Sequence, residues 1–305
     1  MSQERIAFIG VGRMGGRMSN RLLDAGYELV VFDPSADAVA RLVERGASAA
    51  ASPADAAQNA GFVLCSLPNP AIVRDAVAGD AGVLDGARPG SLIIDFSTGD
   101  PAVARELAAL AAAKDVGFLD APVSRGVVGA ENGTLAVMIG GEHEALELAR
   151  PVLDQLASDI VHVGGVGAGQ VTKLCNNMLT AIITTALGEV LVTGVKAGVG
   201  LEALTAALGA GSAGNYVLSG YLPNTLFTEE RAAGFALALM RKDLGLFLKA
   251  AGDAQLDLPL SELVHGQYVA ARKAGLDEAD STSIAELYER AAGVRLQTSA
   301  VEVSS

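Results

Sequence analysis

The chain has 305 residues, half of them hydrophobic, with 4% aromatics and no Trp. That length suits two domains rather than one, and Ala, Val and Leu must fill their cores. The formal net charge of −13 is the wrong sign for a phosphate-binding surface, which argues against DNA or RNA as a partner.

Up to about residue 164 the sequence alternates. Short β-branched or apolar runs stand at Ile6–Ile9, Leu29–Phe32, Phe62–Ser66, Leu92–Asp95, Gly117–Ala121, Leu135–Ile139 and Ile160–Val163. Segments of helical period lie between most of them, which predicts a parallel sheet covered by helices. Ser35 is expected to open a helix over Ala36–Glu44 that Gly46 closes, and Asp100-Pro101 supplies an N-cap followed by proline at the first helical position.

After residue 164 the strands stop. Residues 170–197 read as one long helix of roughly 40 Å. Further helices are expected at Leu201–Leu208, Phe235–Ala251, Leu260–Ala274 and Ile284–Ala292, the last opened by a Ser283/Glu286 capping box. The expected organisation is an N-terminal α/β domain (residues 1–164), then an all-α domain (165–298) entered through the long helix, then a frayed tail (299–305). Ligand sites favour the junction of two such domains.

Several classes of function are expected to be absent. Cys65 and Cys175 make neither a disulfide framework nor a zinc site, which suits a reducing, cytoplasmic setting. His143, His162 and His265 are isolated, so no metal is expected. Met1–Arg5 runs straight into a strand without a charged and then apolar leader, so no signal peptide is expected. The longest apolar stretches carry Thr, Glu or Lys, so no membrane span is expected. Glu229-Glu230-Arg231 reads as a solvated turn, and Asn215 as part of a loop between helices.

Gly10-Val11-Gly12-Arg13-Met14-Gly15 is a G-x-G-x-x-G that follows a predicted strand and opens a predicted helix over Met14–Ala25, the context in which it binds a dinucleotide. Gly10 permits the tight turn, Gly12 lets a pyrophosphate approach the backbone, and Gly15 permits close helix–sheet packing. Phe32-Asp33 ends the second strand, and Asp33 lies 21 residues after Gly12. A carboxylate there can accept both ribose hydroxyls of NAD and repels a 2′-phosphate, so NAD is expected over NADP. Leu67-Pro68-Asn69 and Ser97-Thr98 follow the carboxyl ends of strands, where ligands bind such sheets. Either is equally compatible with plain turn chemistry.

Lys173 and Asn177 fall one helical turn apart in Gly167-Ala168-Gly169-Gln170-Val171-Thr172-Lys173-Leu174-Cys175-Asn176-Asn177, so an ammonium and a carboxamide share one face of an otherwise apolar helix. By itself this segment also fits a lysine that snorkels to water near a helix start.

Taken together, the glycine loop, Leu67-Pro68-Asn69, Asp95-Phe96-Ser97-Thr98, Asp120-Ala121-Pro122-Val123-Ser124, Gly129–Leu135, Gly167–Asn177 and Lys242-Asp243-Leu244 resemble the β-hydroxyacid dehydrogenase family over nearly the whole chain. The family includes 3-hydroxyisobutyrate dehydrogenase and tartronate semialdehyde reductase. The resemblance implies a Rossmann domain, an all-α second domain, and NAD(P)-dependent interconversion of a hydroxyl β to a carboxylate with the matching semialdehyde. It implies Lys173 as the catalytic group, with Asn177 positioning substrate beside it. Ser124 and the Gly126 backbone would contact the acid, and Thr98 and Lys242 would lie near the cofactor. It also implies a homodimer or homotetramer.

The family most often has Ser-Gly-Gly where this chain has Ser124-Arg125-Gly126. Arg125 could clamp a second anionic group, such as a sulfonate, since sulfolactaldehyde reductases resemble this chain in having an arginine in the loop. It could equally turn outward or pair with an acidic neighbour. An imine reductase on the same scaffold and a non-catalytic NAD-binding regulatory protein are the alternatives. Lys173 and the Ser124 loop speak against both.

Overall fold

Ile6–Ile9 (β1) forms the centre of the first unit of the fold. Its residues are at most 1% exposed, and they alternate between two cores as the pleat requires. Ile6 and Phe8 pack with Leu29, Val31, Leu64 and Leu119 on one face. Ala7 and Ile9 pack with Val30, Val63, Cys65 and Ile93 on the other. A sheet buried on both faces explains why its strands read as unbroken apolar runs.

The computed structural model describes residues 4–298, so the expected tail at 299–305 lies outside the described residues. The chain divides into two compact units, Met1–Leu174 and Cys175–Ser305. In order, the first contains β1, α1 (Gly15–Asp24), β2 (Leu29–Phe32), α2 (Ala36–Val43), β3 (Ser48–Ala49), α3 (Pro53–Ala57), β4 (Phe62–Cys65), α4 (Pro70–Ala78), α5 (Val83–Gly86), β5 (Leu92–Asp95), α6 (Pro101–Ala112), β6 (Gly117–Asp120), β7 (Val123–Ser124), α7 (Gly126–Asn132), β8 (Leu135–Gly140), α8 (His143–Leu153) and β9 (Ala157–Gly164). Then α9 (Ala168–Lys196) begins, and the division falls inside it.

The strand order is β3-β2-β1-β4-β5-β6-β8-β7, with β9 on β8. From β3 to β6 every neighbouring pair is parallel. The winding reverses at β1, which lies between β2 and β4, and such a switch point opens a crevice at the strands' carboxyl ends. One part of the sheet departs from parallel pairing. β8 runs antiparallel to β6 and β7; the link from β7, residues 125–134, is shorter than a parallel crossover needs. β3 and β7, two residues each, were too short to leave a sequence pattern.

The caps follow their chemistry. Ser35, Ser52, Asn69 and Asp100 each accept a backbone N–H in the first turn they open, and proline follows directly at three of them.

The second unit holds the remainder of α9, then α10 (Leu201–Ala210), a π-helical turn (Val217–Tyr221), a 3-10 turn (Leu222–Asn224), α11 (Leu237–Asp253), α12 (Pro259–Lys273), a second 3-10 turn (Ser281–Ala285) and α13 (Glu286–Ala292). Leu187, Leu191, Leu218, Leu222 and Phe227 form one core. Met178, Met240, Leu244, Tyr268 and Ile284 form another.

Two expectations are corrected here. Ser283 does not cap the last helix. It sits inside the 3-10 turn, which is opened by the buried Asp280 accepting the N–H of Thr282. Arg231 is not part of a solvated turn. It is held in the left-handed region, at φ 47°, while both Nη atoms donate to the Glu289 carboxylate at 2.7 and 2.8 Å. The fork is bidentate and charge-assisted, and removing Arg231 would leave the buried Glu289 charge without its counter-ion. Finally, α9 is long and apolar enough to cross a membrane by length and composition. Its role is that of a core helix, since Met178, Ala181, Leu187 and Leu191 pack inside the second unit.

Candidate active site

The glycine loop follows β1 at the switch point. Gly10 has φ 85°, and a Cβ there would stand 2.5 Å from the Ser66 carbonyl oxygen. At Gly15 a Cβ would run into the Gly10 carbonyl, whereas at Gly12 it would meet nothing. The loop is therefore closed toward the sheet and open above Gly12. α1 then starts with no side-chain cap and no acidic residue in its first turn, which leaves backbone N–H groups for an anion. Val11 is buried, while Gly12 and Arg13 are exposed and Met14 is half-buried. The Val11 N–H donates to Asp33 Oδ2 at 2.9 Å, and Ser35 N–H donates to Asp33 Oδ1 at 2.8 Å. Asp33, next to the half-buried Phe32, thus ties the loop to the end of β2. Each of its oxygens keeps acceptor capacity. These residues fit a dinucleotide.

Two more loops end on the same carboxyl edge. Leu67 N–H donates to Ser97 Oγ at 2.9 Å, which joins the segment after β4 to that after β5. Pro68 is exposed, and Asn69 Oδ1 accepts the Ile72 N–H at 2.9 Å as the cap of α4. Turn chemistry therefore accounts for Asn69 whether or not a ligand also meets it. Ser97 N–H donates to Asp95 at 3.0 Å. Gly99 N–H donates to Gln170 Oε1 at 2.7 Å and Gln170 Nε2 donates to the Ser97 carbonyl at 2.8 Å, so Thr98 is bracketed by bonds to the first turn of α9. That turn is fixed in its turn by Asp120, which is 0% exposed and accepts the N–H groups of Gly167 and Gln170 at 2.7 and 2.8 Å. Burial lifts the Asp120 carboxyl above its ordinary range, while the two N–H groups and the charge of Arg105 pull it down.

Ser124 lies on β7, paired with Ala136. Arg125 and Gly126 follow in the left-handed region at φ 78° and 57°. The Arg125 Nη1 donates to the Thr134 carbonyl at 2.9 Å and to Ser158 Oγ at 2.8 Å, and meets Asp159 Oδ2 at 2.7 Å. Of the two readings of this arginine, the structure realises the pairing with an acidic neighbour. The Asp159 carboxyl is held below its ordinary range by hydrogen bonds from Ser158 and Arg125.

Lys173, in the first unit, is 8% exposed. A snorkelling lysine keeps its charged head in water, and 8% of the residue's surface leaves little for that. Asn177 stands one turn further along α9 and is 3% exposed. Its Nδ2 donates to Asp243 Oδ2 at 2.7 Å, and its Oδ1 accepts from Asn176 at 3.1 Å. Asp243, 1% exposed, also pairs with Lys242 Nζ through Oδ1 at 3.0 Å. A buried carboxylate needs such partners to stay ionised, and in return it fixes which way the Asn177 amide points.

The amino-terminal part, residues 5–165, matches the family described as the NAD binding domain of 6-phosphogluconate dehydrogenase. Residues 167–288 match the family described as NAD-binding of NADP-dependent 3-hydroxyisobutyrate dehydrogenase. The chain is 40% identical to an NAD-dependent L-serine dehydrogenase of Pseudomonas aeruginosa, over 95% of this chain and 99% of that one. It is 35% identical to a 3-sulfolactaldehyde reductase of Escherichia coli, over 95% and 97%. The Mycobacterium tuberculosis 3-hydroxyisobutyrate dehydrogenase, solved with L-serine, superimposes with a TM-score of 0.87 at 35% identity, covering 93% of this chain and 99% of that one. The chain belongs to the β-hydroxyacid dehydrogenase family. As a β-hydroxyacid dehydrogenase it is an oxidoreductase of small hydroxy acids that works with a nicotinamide cofactor.

Within this β-hydroxyacid dehydrogenase, sequence reasoning passed over Gln170, Asp120 and Asp243. Each left a faint signal: Asp120 at a strand end, Gln170 in the first turn of an otherwise apolar helix, and Asp243 directly after Lys242. Asn215 is where a loop residue should be, with Oδ1 accepting the Leu218 N–H and Nδ2 donating to Ala213. Asp120→Ala should orphan two buried N–H groups while removing one buried charge. A net loss of about 2 kcal/mol is expected, or a thermal midpoint lower by about 4–8 °C. An unchanged midpoint in a calorimetric scan would show that Asp120 does not hold the start of α9.

Proposed function

We propose that this dehydrogenase interconverts a short β-hydroxy acid and its semialdehyde, prefers NAD to NADP, and uses Lys173 as general acid and base. The burial of Lys173, one turn after the segment that grips Ser97–Gly99, carries the reading. When bound, the cofactor supplies or accepts the hydride. The reacting oxygen must gain or lose a proton in the same event. As an ammonium, Lys173 donates to the oxygen of the semialdehyde; as a neutral amine, it takes the proton of the alcohol. Asn177, its amide oriented by Asp243, places the hydroxyl. The Ser124 hydroxyl and the Gly126 backbone hold the acid. The preference for NAD is supported by Asp33. Lys242, engaged by Asp243, is assigned a place near the cofactor. A cytoplasmic homodimer or homotetramer completes the proposal, and the free thiols of Cys65 and Cys175 suit a reducing compartment.

The test is absorbance at 340 nm with 3-hydroxyisobutyrate, L-serine, sulfolactaldehyde, short semialdehydes and cyclic imines. Turnover confined to hydroxy acids and aldehydes supports the proposal. Turnover of imines alone, or tight NADH binding with no turnover, favours one of the alternatives.

Arg125 already engages Asp159, so it is not assigned to the acid. Arg125→Gly removes an exposed surface pair and relieves a left-handed residue costing about 1–2 kcal/mol. Stability should stay within about 1 kcal/mol of the wild type. The ranking of carboxylate against sulfonate substrates should not move either. A tenfold or larger shift in that ranking (about 1.4 kcal/mol) would restore the anion clamp.

A further inference from the structure

Gln170 stands three residues before Lys173 on α9 and is 1% exposed. Its carboxamide bonds the peptide units on both sides of Thr98, accepting from Gly99 N–H at 2.7 Å and donating to the Ser97 carbonyl at 2.8 Å. One partner is a pure donor and the other a pure acceptor, so a single orientation of the amide satisfies both. The gripped segment is itself tied to the loop after β4 through the bond from Leu67 N–H to Ser97 Oγ at 2.9 Å. On the other side, the Gln170 N–H is anchored by Asp120 at 2.8 Å. An unbroken chain of hydrogen bonds thus runs from the ends of β4, β5 and β6 to the helical turn that carries Lys173. A helix needs none of this for its own stability, since a first-turn glutamine is equally at home facing water.

We propose that Gln170 is a positioning residue for catalysis. By holding both sides of Thr98 against the first turn of α9, it fixes the distance between the cofactor-facing segment and Lys173. The inference rests on the reading of Thr98 and Lys173 given above. Gln170 itself touches no reacting atom. Its effect comes from placement, where a shift of about 1 Å far from the chemistry can cost roughly 100-fold in rate.

Gln170→Met keeps the length of the side chain and removes both bonds. The readouts, on the full chain, are kcat, substrate KM and the primary isotope effect with cofactor deuterated at the transferred position. The probe substrate is whichever of 3-hydroxyisobutyrate, L-serine and sulfolactaldehyde the wild type turns over fastest. NADH affinity is read from the cofactor's own fluorescence, which no Trp obscures. Kcat should fall about 10- to 100-fold, the isotope effect should grow, and substrate KM should move less than about threefold. A wild-type kcat and isotope effect, with only a lower melting point, would overturn the proposal. If Gln170→Met does not fold, Gln170→Glu takes its place. Its carboxylate still accepts from Gly99 but sets an oxygen against the Ser97 carbonyl, and protonation restores the donor. The ratio of variant to wild-type kcat should therefore rise as pH falls; a constant ratio overturns the proposal. Lys173→Ala is measured alongside. If it too keeps wild-type kcat, the reading of Lys173 fails first. If it is inactive while the Gln170 variants are normal, only the positioning role fails.

Discussion

Lys173→Ala should lower kcat by about 10²- to 10⁴-fold, the range that one positioned proton-transfer group supplies. NADH affinity should change little, because the glycine loop, Asp33 and the Ser97–Gly99 segment are intact. Lys173→Arg should be nearly as poor in the oxidative direction. A guanidinium keeps its charge throughout the accessible pH range and cannot take the alcohol's proton. Steady-state rates in both directions, with NADH binding measured separately, decide the matter. A kcat within about tenfold of wild type would assign the proton transfer elsewhere, since general acid–base catalysis typically contributes more than that.

The second large effect is expected at Asp33. Its carboxylate accepts from Val11 N–H at 2.9 Å and from Ser35 N–H at 2.8 Å, so it shapes the glycine loop, and the proposed function also gives it the ribose hydroxyls. Asp33→Ala should weaken NAD binding by about 10- to 100-fold, equivalent to losing one or two hydrogen bonds to a charged acceptor. NADP binding should suffer less, because the repulsion of a 2′-phosphate disappears with the charge. Fluorescence titrations with NADH and NADPH give the ratio. If both affinities fall by the same factor, Asp33 only builds the turn and does not choose the cofactor.

Much of this was legible in the sequence because the signals are local. β1 and the glycine loop announce themselves through an apolar run followed by Gly10, Gly12 and Gly15, each with its own steric reason. The caps Ser35 and Asp100 are read from one residue and its neighbour. What was not legible depends on partners far along the chain. Asp120 meets Gly167 and Gln170, and Gln170 meets Ser97 and Gly99; no periodicity encodes such pairings. Arg231 looked solvated beside two glutamates because its true partner, Glu289, lies 58 residues on. The direction of β8 was hidden for a related reason, since strand polarity follows from connection length and pairing rather than from composition. Arg125 is the instructive case. Its chemistry allowed a clamp or a tether, and the pairing seen is with Asp159, 34 residues on, which no local pattern places beside it.

The most direct test of the central claim is the pH dependence of kcat/KM for oxidation of the hydroxy acid between pH 7 and 10. Oxidation requires Lys173 as a neutral amine, and an ordinary lysine ammonium gives up its proton near pH 10.4. The neutral fraction, and with it kcat/KM, should therefore rise with pH across that interval when chemistry limits the rate. Lys173→Ala should abolish the rise. A wild-type profile that stays flat from pH 7 to 10 would contradict Lys173 as the group that takes the proton.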